Sequence, residues 1–230
     1  MTFALSETEL QALLLSLKVS AAAVAFALPL AVATALLLTR SFPGRAVLDA
    51  VVHLPIVLPP VVVGYLLLIT LGLNAPLGRF LDETLGLRFM FSWTGAALAA
   101  GLITFPFQVR AIRLALEAID PGLMQAAETL GAGPLDRFVS VTLPLAAPGI
   151  LAGAVTAYAA SLGEFGAIIT FVSNIPGETR TLPLAIYTAI QTPGGEAAAA
   201  RLVALSVLLA FAGLIGSELA ARRVKRLTGS

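Results

Sequence analysis

The sequence predicts an all-α fold that crosses a membrane about five times, and three observations carry that prediction. Of its 230 residues, 58% are hydrophobic and only 12% charged, with a mean hydropathy of +0.96. Soluble domains sit near 45–50% apolar and about 25% charged, so the surplus must face lipid. The apolar residues also gather into five stretches long enough to span a hydrocarbon core: residues 10–39, 46–71, 92–116, 143–172 and 197–221. Finally, the Lys and Arg residues between these stretches sort to one side. Backbone groups in lipid must be satisfied within the segment, which selects helices. The alternating pattern of a membrane β-barrel is absent from the sequence.

The composition excludes much chemistry. There is no Cys, so neither a disulfide framework nor a thiolate metal site can form, and His53 is the single imidazole. No metal site, catalytic dyad or nucleic-acid patch stands out, and no catalytic residue is assigned. A phosphate-cradling Gly-rich loop with Lys-Ser/Thr is missing, so the chain is not expected to bind ATP itself. One domain is expected over residues 1–230, with a core at about 11–221. No cleavable leader is expected, because the first apolar run is too long and acidic Glu7 and Glu9 precede it.

Orientation follows from the basic residues. Arg40 and Arg45 flank the first short loop, and Arg110, Arg113 and Arg137 surround the loop between the third and fourth stretches. Arg222, Arg223, Lys225 and Arg226 form the C-terminal tail. All nine fall on the cytoplasmic side only if the chain has an odd number of spans and an outer N-terminus. Five spans satisfy this, leaving Lys18, Arg79, Arg88, Arg180 and Arg201 outside. Two loops are too long and polar to be simple connections, residues 117–142 inside and 173–196 outside.

The inner loop, residues 120–137, carries a readable design. Asp120 before Pro121 is an N-cap with proline at the first helical position. Residues 123–130 can make two turns that Gly131 ends in the left-handed conformation, and residues 135–138 begin a second turn. The product is a short helix across the membrane face, suited to docking in a groove of a cytoplasmic partner. A generic amphipathic loop is the alternative.

Gln125-Ala126-Ala127, Gly131, Val141 and Leu143-Pro144 resemble, at matching spacing, the Glu-Ala-Ala loop of ABC importer permeases. Gln125 and Val141 stand where that pattern has Glu and Ile. The resemblance implies a type I importer permease fold. It also implies a coupling role for Gln125, Ala126, Ala127, Glu128, Gly131, Ala132, Leu143 and Pro144 toward the ATPase. A narrower resemblance, to the molybdate permeases, rests on four strings. They are Ser41-Phe42-Pro43-Gly44, the run from His53 to Gly64, Ser161-Leu162-Gly163-Glu164-Phe165-Gly166-Ala167, and the run from Phe171 to Thr181. It implies a bacterial inner-membrane location and transport of molybdate or tungstate. The implied partners are a second copy of the chain, two ATPase subunits holding ATP and Mg, and a periplasmic molybdate-binding protein. Some relatives carry an extra N-terminal span, and this chain is expected to start after it. Sulfate shares the shape and charge of molybdate, so helix patterns leave a sulfate permease open. An intramembrane enzyme would lack clustered catalytic groups, and a membrane anchor leaves the loop unexplained.

Candidates for the path or gate are fewer. Pro55, Pro59 and Pro60 remove backbone donors and kink the second span, as packing devices or as hinges. Glu164 is an acid well inside an apolar stretch, where it should face a cavity or a partner. A carboxylate repels an oxyanion, so Glu164 is expected either to pair with a cation such as Arg180 or to satisfy donors at the break around Gly163. Ser161, Ser173, Asn174, Thr179, Arg180 and Thr181 could offer donors near the outer mouth or form an ordinary surface loop. His53 is expected to be a packed or interfacial side chain, and Trp93 an interfacial anchor.

Overall fold

Helix α1 (Glu7–Leu38) opens on Ser6, whose hydroxyl accepts from the Glu9 amide at 3.3 Å while the Glu9 carboxylate accepts from the Ser6 amide at 2.8 Å. This reciprocal cap satisfies two donors that a helix start leaves open. The computed structural model describes residues 5–228, without the side chains of residues 214 and 217–228. The tail residues Arg222, Arg223, Lys225 and Arg226 therefore lie outside the described side chains. The described residues are helical throughout their regular structure, as predicted: α2 (Arg45–Val57), α3 (Pro60–Leu71), α4 (Pro76–Leu85), α5 (Trp93–Glu117), α6 (Pro121–Thr129), α7 (Pro134–Arg137), α8 (Leu143–Leu162), α9 (Gly166–Val172), α10 (Leu182–Gln191) and α11 (Glu196–Thr228).

Among the described residues four runs are long and apolar enough to cross a membrane: Glu7–Leu38, Trp93–Glu117, Pro134–Leu162 and Glu196–Gly213. A fifth crossing exists only as the pair α2 and α3, bent by 112°. The sequence predicted a kink there, and the structure replaces it with a break. Neither Pro59 nor Pro60 has an N–H to continue the helix, and a residue before proline is pushed out of the helical region. Leu58 (ψ 142°) and Pro59 (ψ 134°) are extended accordingly. The fourth span also differs from prediction. It stops at Leu162, and the remainder of the apolar stretch forms the separate seven-residue helix α9. At its other end the span begins early, because Phe138–Thr142 is a π-helical turn joining α7 to α8. Pro144 explains that turn: its ring would clash with the Ser140 carbonyl, and the wider i→i+5 turn makes room. Helices α4 and α10, in the outer connections, were not predicted.

Small residues set the helix spacing. A Cβ on Gly101 of α5 would lie 3.3 Å from the Ala23 carbonyl of α1. On α8, Gly149 faces Ala111 and Ala115, and Gly153 faces Ala111 and Gln108, so α5 and α8 run antiparallel in close contact. Such approach strengthens dispersion between helices, which lipid cannot supply by exclusion. On α3, a Cβ on Gly64 would lie 2.7 Å from the Ala167 carbonyl and 2.8 Å from Thr170 Cβ. Helices α3 and α9 are thus parallel neighbours in near backbone contact. The start of α1 is tied down by Arg201 of α11, which donates to Glu9 at 2.8 Å, and by Ser16, whose hydroxyl accepts from the Leu182 amide at 2.6 Å.

Candidate functional site

The inner loop forms as its residues dictate. Asp120 caps α6 by accepting from the Gly122 amide at 2.8 Å, and Pro121 occupies the first turn. Gly131 takes φ +84°, and the Ala132 amide returns to the Ala127 carbonyl at 3.0 Å, closing a Schellman-type end. Gln125, Ala126 and Glu128 are exposed and Ala127 half-buried. Leu130 (88% exposed) and Leu135 (75% exposed) flank the glycine turn as uncovered apolar knobs. Sequence reasoning passed over both, although two leucines flanking the Gly131-Ala132-Gly133-Pro134 turn were the available signal.

Two contacts fasten α6 to the long helical run beyond it. Arg137 pairs with Glu128 at 2.9 Å, and the Thr142 hydroxyl points to Met124 Sδ at 3.7 Å. Leu143 and Pro144 then lie at the start of α8, within the continuous run Pro134–Leu162. Side-chain contacts thus join α6 to a helix long enough to cross a membrane.

A second feature was missed. Arg113 near the end of α5 bridges Asp49 of α2 at 3.2 Å and Glu117 at 2.8 Å, and Arg45 approaches Glu117 at 3.8 Å. His53 Nδ1 lies 2.9 Å from the Asp49 carbonyl oxygen and 3.2 Å from its carboxylate. His53 is half-buried, as expected of a packed side chain. Arg45 and Arg113 had been read as topology markers only. The i,i+4 spacing of Arg113 with Glu117 was legible, but the pairs that hold α2 against α5, Arg113 with Asp49 and Arg45 with Glu117, join residues far apart in the chain and leave no local signal.

The path candidates separate into three groups. Pro59 and Pro60 are exposed at the α2–α3 break, and a Cβ on Gly166 would lie 2.9 Å from Pro60 Cβ. The structure thus joins the two helix breaks, one at residues 58–59 and one at 163–165. Glu164, 7% exposed, accepts from the Ala167 amide at 2.8 Å and caps α9. Of the two roles open to Glu164, the structure selects donor satisfaction and rejects the pairing with Arg180. Arg180 Nε donates instead to Asn174 Oδ1 at 2.8 Å, and Asn174 Nδ2 donates to Thr188 at 2.8 Å.

Thr179 is fully buried, accepting from the Ile175 amide at 2.8 Å and donating to the Ser173 carbonyl at 3.0 Å. Asn174, Thr179 and Arg180 therefore clamp the outer loop onto itself and α10. Ser173 is exposed but adopts φ +66°, ψ −164°, a region costly for a residue with a side chain. Ser161 is 3% exposed, and its hydroxyl has no partner among the described residues. Among these residues no group of His, Cys, Asp and Glu is placed to hold a metal.

Thr179→Ala removes both bonds and leaves the Ile175 amide unsatisfied, so it is expected to lower stability in detergent by about 1–3 kcal/mol. A melting temperature equal to wild type would contradict the clamp.

Comparison with known proteins agrees with this geometry. The profile of the family described as "Binding-protein-dependent transport system inner membrane component" matches residues 27–226. The chain is 58% identical over 226 residues to the molybdenum transport system permease protein ModB of Escherichia coli (strain K12), covering 98% of this chain and 99% of that one. It is 38% identical over 181 residues to the sulfate transport system permease protein CysT of Salmonella typhimurium, covering 77% of this chain and 65% of that one. Among solved structures, the inward-facing MetNI methionine ABC transporter superposes with a TM-score of 0.72 at 18% identity, covering 96% of this chain and 99% of the matched chain, which establishes the shared fold. The chain belongs to the inner-membrane component family of binding-protein-dependent transport systems.

Proposed function

We propose that the chain is the membrane-spanning subunit of an ATP-driven importer that moves molybdate, and tungstate with it, into the cytoplasm. The observation that carries the anion is the extent of likeness: 58% identity across nearly the whole chain to a molybdenum permease, against 38% over a shorter stretch to a sulfate permease. The chemistry of transport needs no catalytic group here. ATP and Mg belong to two partner ATPase subunits, and an outer binding protein delivers the anion.

The mechanism is a lever. ATPase closure pushes on α6, where Gln125, Ala126, Ala127 and Glu128 form the contact and Leu130 offers an apolar foothold. The Glu128–Arg137 pair and the Met124–Thr142 contact pass the push to the helical run ending at Leu162. The run ends at the Glu164-capped break, and the Gly64 and Gly166 contacts carry the shift across to α3. Motion concentrates at such breaks because bending there costs no helix hydrogen bond. Pro59 and Pro60 are exposed on one chain, and a second copy would complete the wall of a path beside them.

In this arrangement Ser6 lies outside and the α6 loop in the cytoplasm. The chain has no Cys, so single cysteines report position cleanly. Ser6→Cys is expected to react with an impermeant thiol reagent in spheroplasts, and Leu130→Cys only after the membrane is opened. The reverse pattern would invert the topology. Co-purification of the chain with an ATPase subunit tests the assignment as a permease.

A further inference from the structure

Helices α1 and α5 leave a groove of about 550 Å³ between them, open to the lipid side and almost wholly apolar. Ala22, Phe26 and Leu30 line it from α1, and Trp93, Leu98 and Phe105 from α5. Phe26 is 82% exposed and Leu30 62% exposed, so no other described residue covers this face. The charge at one end is what identifies an occupant. Lys18 stands on the same stripe of α1 as Ala22, Phe26 and Leu30, which follow it at intervals of four residues. Its ammonium lies 3.7 Å from the centre of the Trp93 ring. No carboxylate pairs with it among the described residues. The neighbouring cation Arg88, between groove residues Leu87 and Phe89, is already held by Asp82 at 2.9 Å.

Depth supports the same reading. At 1.5 Å per residue, the 22 residues from Lys18 to Arg40 span about 33 Å, close to the hydrocarbon thickness of about 30 Å. Lys18 and Arg40 then stand at the two headgroup levels. The groove reaches about 12 Å along α1 from Ala22 to Leu30, and Lys18 one turn above brings the whole stripe to about 18 Å, roughly the depth of one leaflet. An aromatic ring under a cation at the headgroup level leaves the ammonium's other donors pointing outward, where a phosphate oxygen can accept them.

We infer that this groove is a binding site for an anionic phospholipid of the leaflet on the side where α1 begins, with one acyl chain in the groove and the phosphate on Lys18. A polar partner surface would leave its groups unsatisfied against this lining. An anionic lipid matches the apolar length and the unpaired cation together.

The test is stepwise delipidation of the purified full chain from detergent containing equal phosphatidylglycerol and phosphatidylcholine with matched acyl chains, read by native mass spectrometry. Wild type is expected to retain one phosphatidylglycerol preferentially. Lys18→Ala should reduce that preference about fivefold, since one basic residue at a lipid surface contributes about that much, and Lys18→Arg should keep it. Ala27→Phe fills the groove and should lower retention of both lipids. Equal retention of the two lipids by wild type, or an unchanged preference in Lys18→Ala, overturns the proposal. Cross-linking of a Phe26→Cys variant to a second copy in the membrane also overturns it, because the groove would then be a protein interface.

Discussion

Gly131→Val is expected to abolish productive uptake while leaving the protein inserted and folded. At φ +84° the glycine is in the left-handed region, and nothing lies within 4 Å of a Cβ built there. The penalty is therefore one of backbone conformation, about 1–2 kcal/mol for a residue with a side chain and more for a β-branched one. That strain is relieved by rotating the turn, which breaks the return of the Ala132 amide to Ala127 and turns α6 away from its docking position. A loss of about 1.4 kcal/mol at the docking face weakens ATPase association about tenfold. Gly131→Asn is the control, since asparagine tolerates this region and should retain most uptake. Ala127→Arg attacks the same step differently, by blocking close approach at a half-buried position. Pull-down of the ATPase and uptake per ATP hydrolysed are the readouts. Wild-type values in both Gly131→Val and Ala127→Arg would remove the coupling role from α6.

The second large effect is expected at Gly64. A leucine there would put its Cβ 2.7 Å from the Ala167 carbonyl and about as close to Thr170, so α3 and α9 must separate. Overpacking of this kind costs about 1–3 kcal/mol, and here it also pries apart the joint through which the lever acts. Gly64→Leu should lower thermal stability in detergent and stop transport. Gly163→Ala should do neither, although Gly163 sits at the break itself. Its φ of −90° suits any residue, and the nearest atom to an added Cβ is 3.7 Å away. Equal effects of the two substitutions would show that the α3–α9 contact is not the joint.

That contrast indicates how far the sequence could be read. The all-helical class, the long apolar spans and the ends of α6 follow from local rules: apolar length, an Asp-Pro start and a glycine stop. Such features depend on neighbours in the chain and are visible in it. The partner of Glu164 was not, because a buried acid can be satisfied by a distant cation or by an amide three residues on, and only the fold decides. Thr179, Asn174 and Arg180 were attractive as anion donors by residue type, yet Thr179 donates to the Ser173 carbonyl, Asn174 to Thr188 of α10, and Arg180 through Nε to Asn174. Gly64 drew no attention, since glycine is common in membrane helices and its need for close approach depends on α9, about a hundred residues away. The π-helical turn before Pro144 was equally hidden, because one missing donor can be met by a kink, a break or a wider turn.

The central claim is that ATP hydrolysis by a partner drives molybdate through this chain. The direct measurement is uptake of molybdate into proteoliposomes holding the chain with its ATPase, supplied with the outer binding protein and with ATP on the cytoplasmic face. The account predicts uptake that requires ATP, binding protein and an intact α6 turn, competed by tungstate far better than by sulfate. Uptake of sulfate at the rate of molybdate would contradict the anion assignment. Molybdate accumulation without ATP hydrolysis would contradict the mechanism itself.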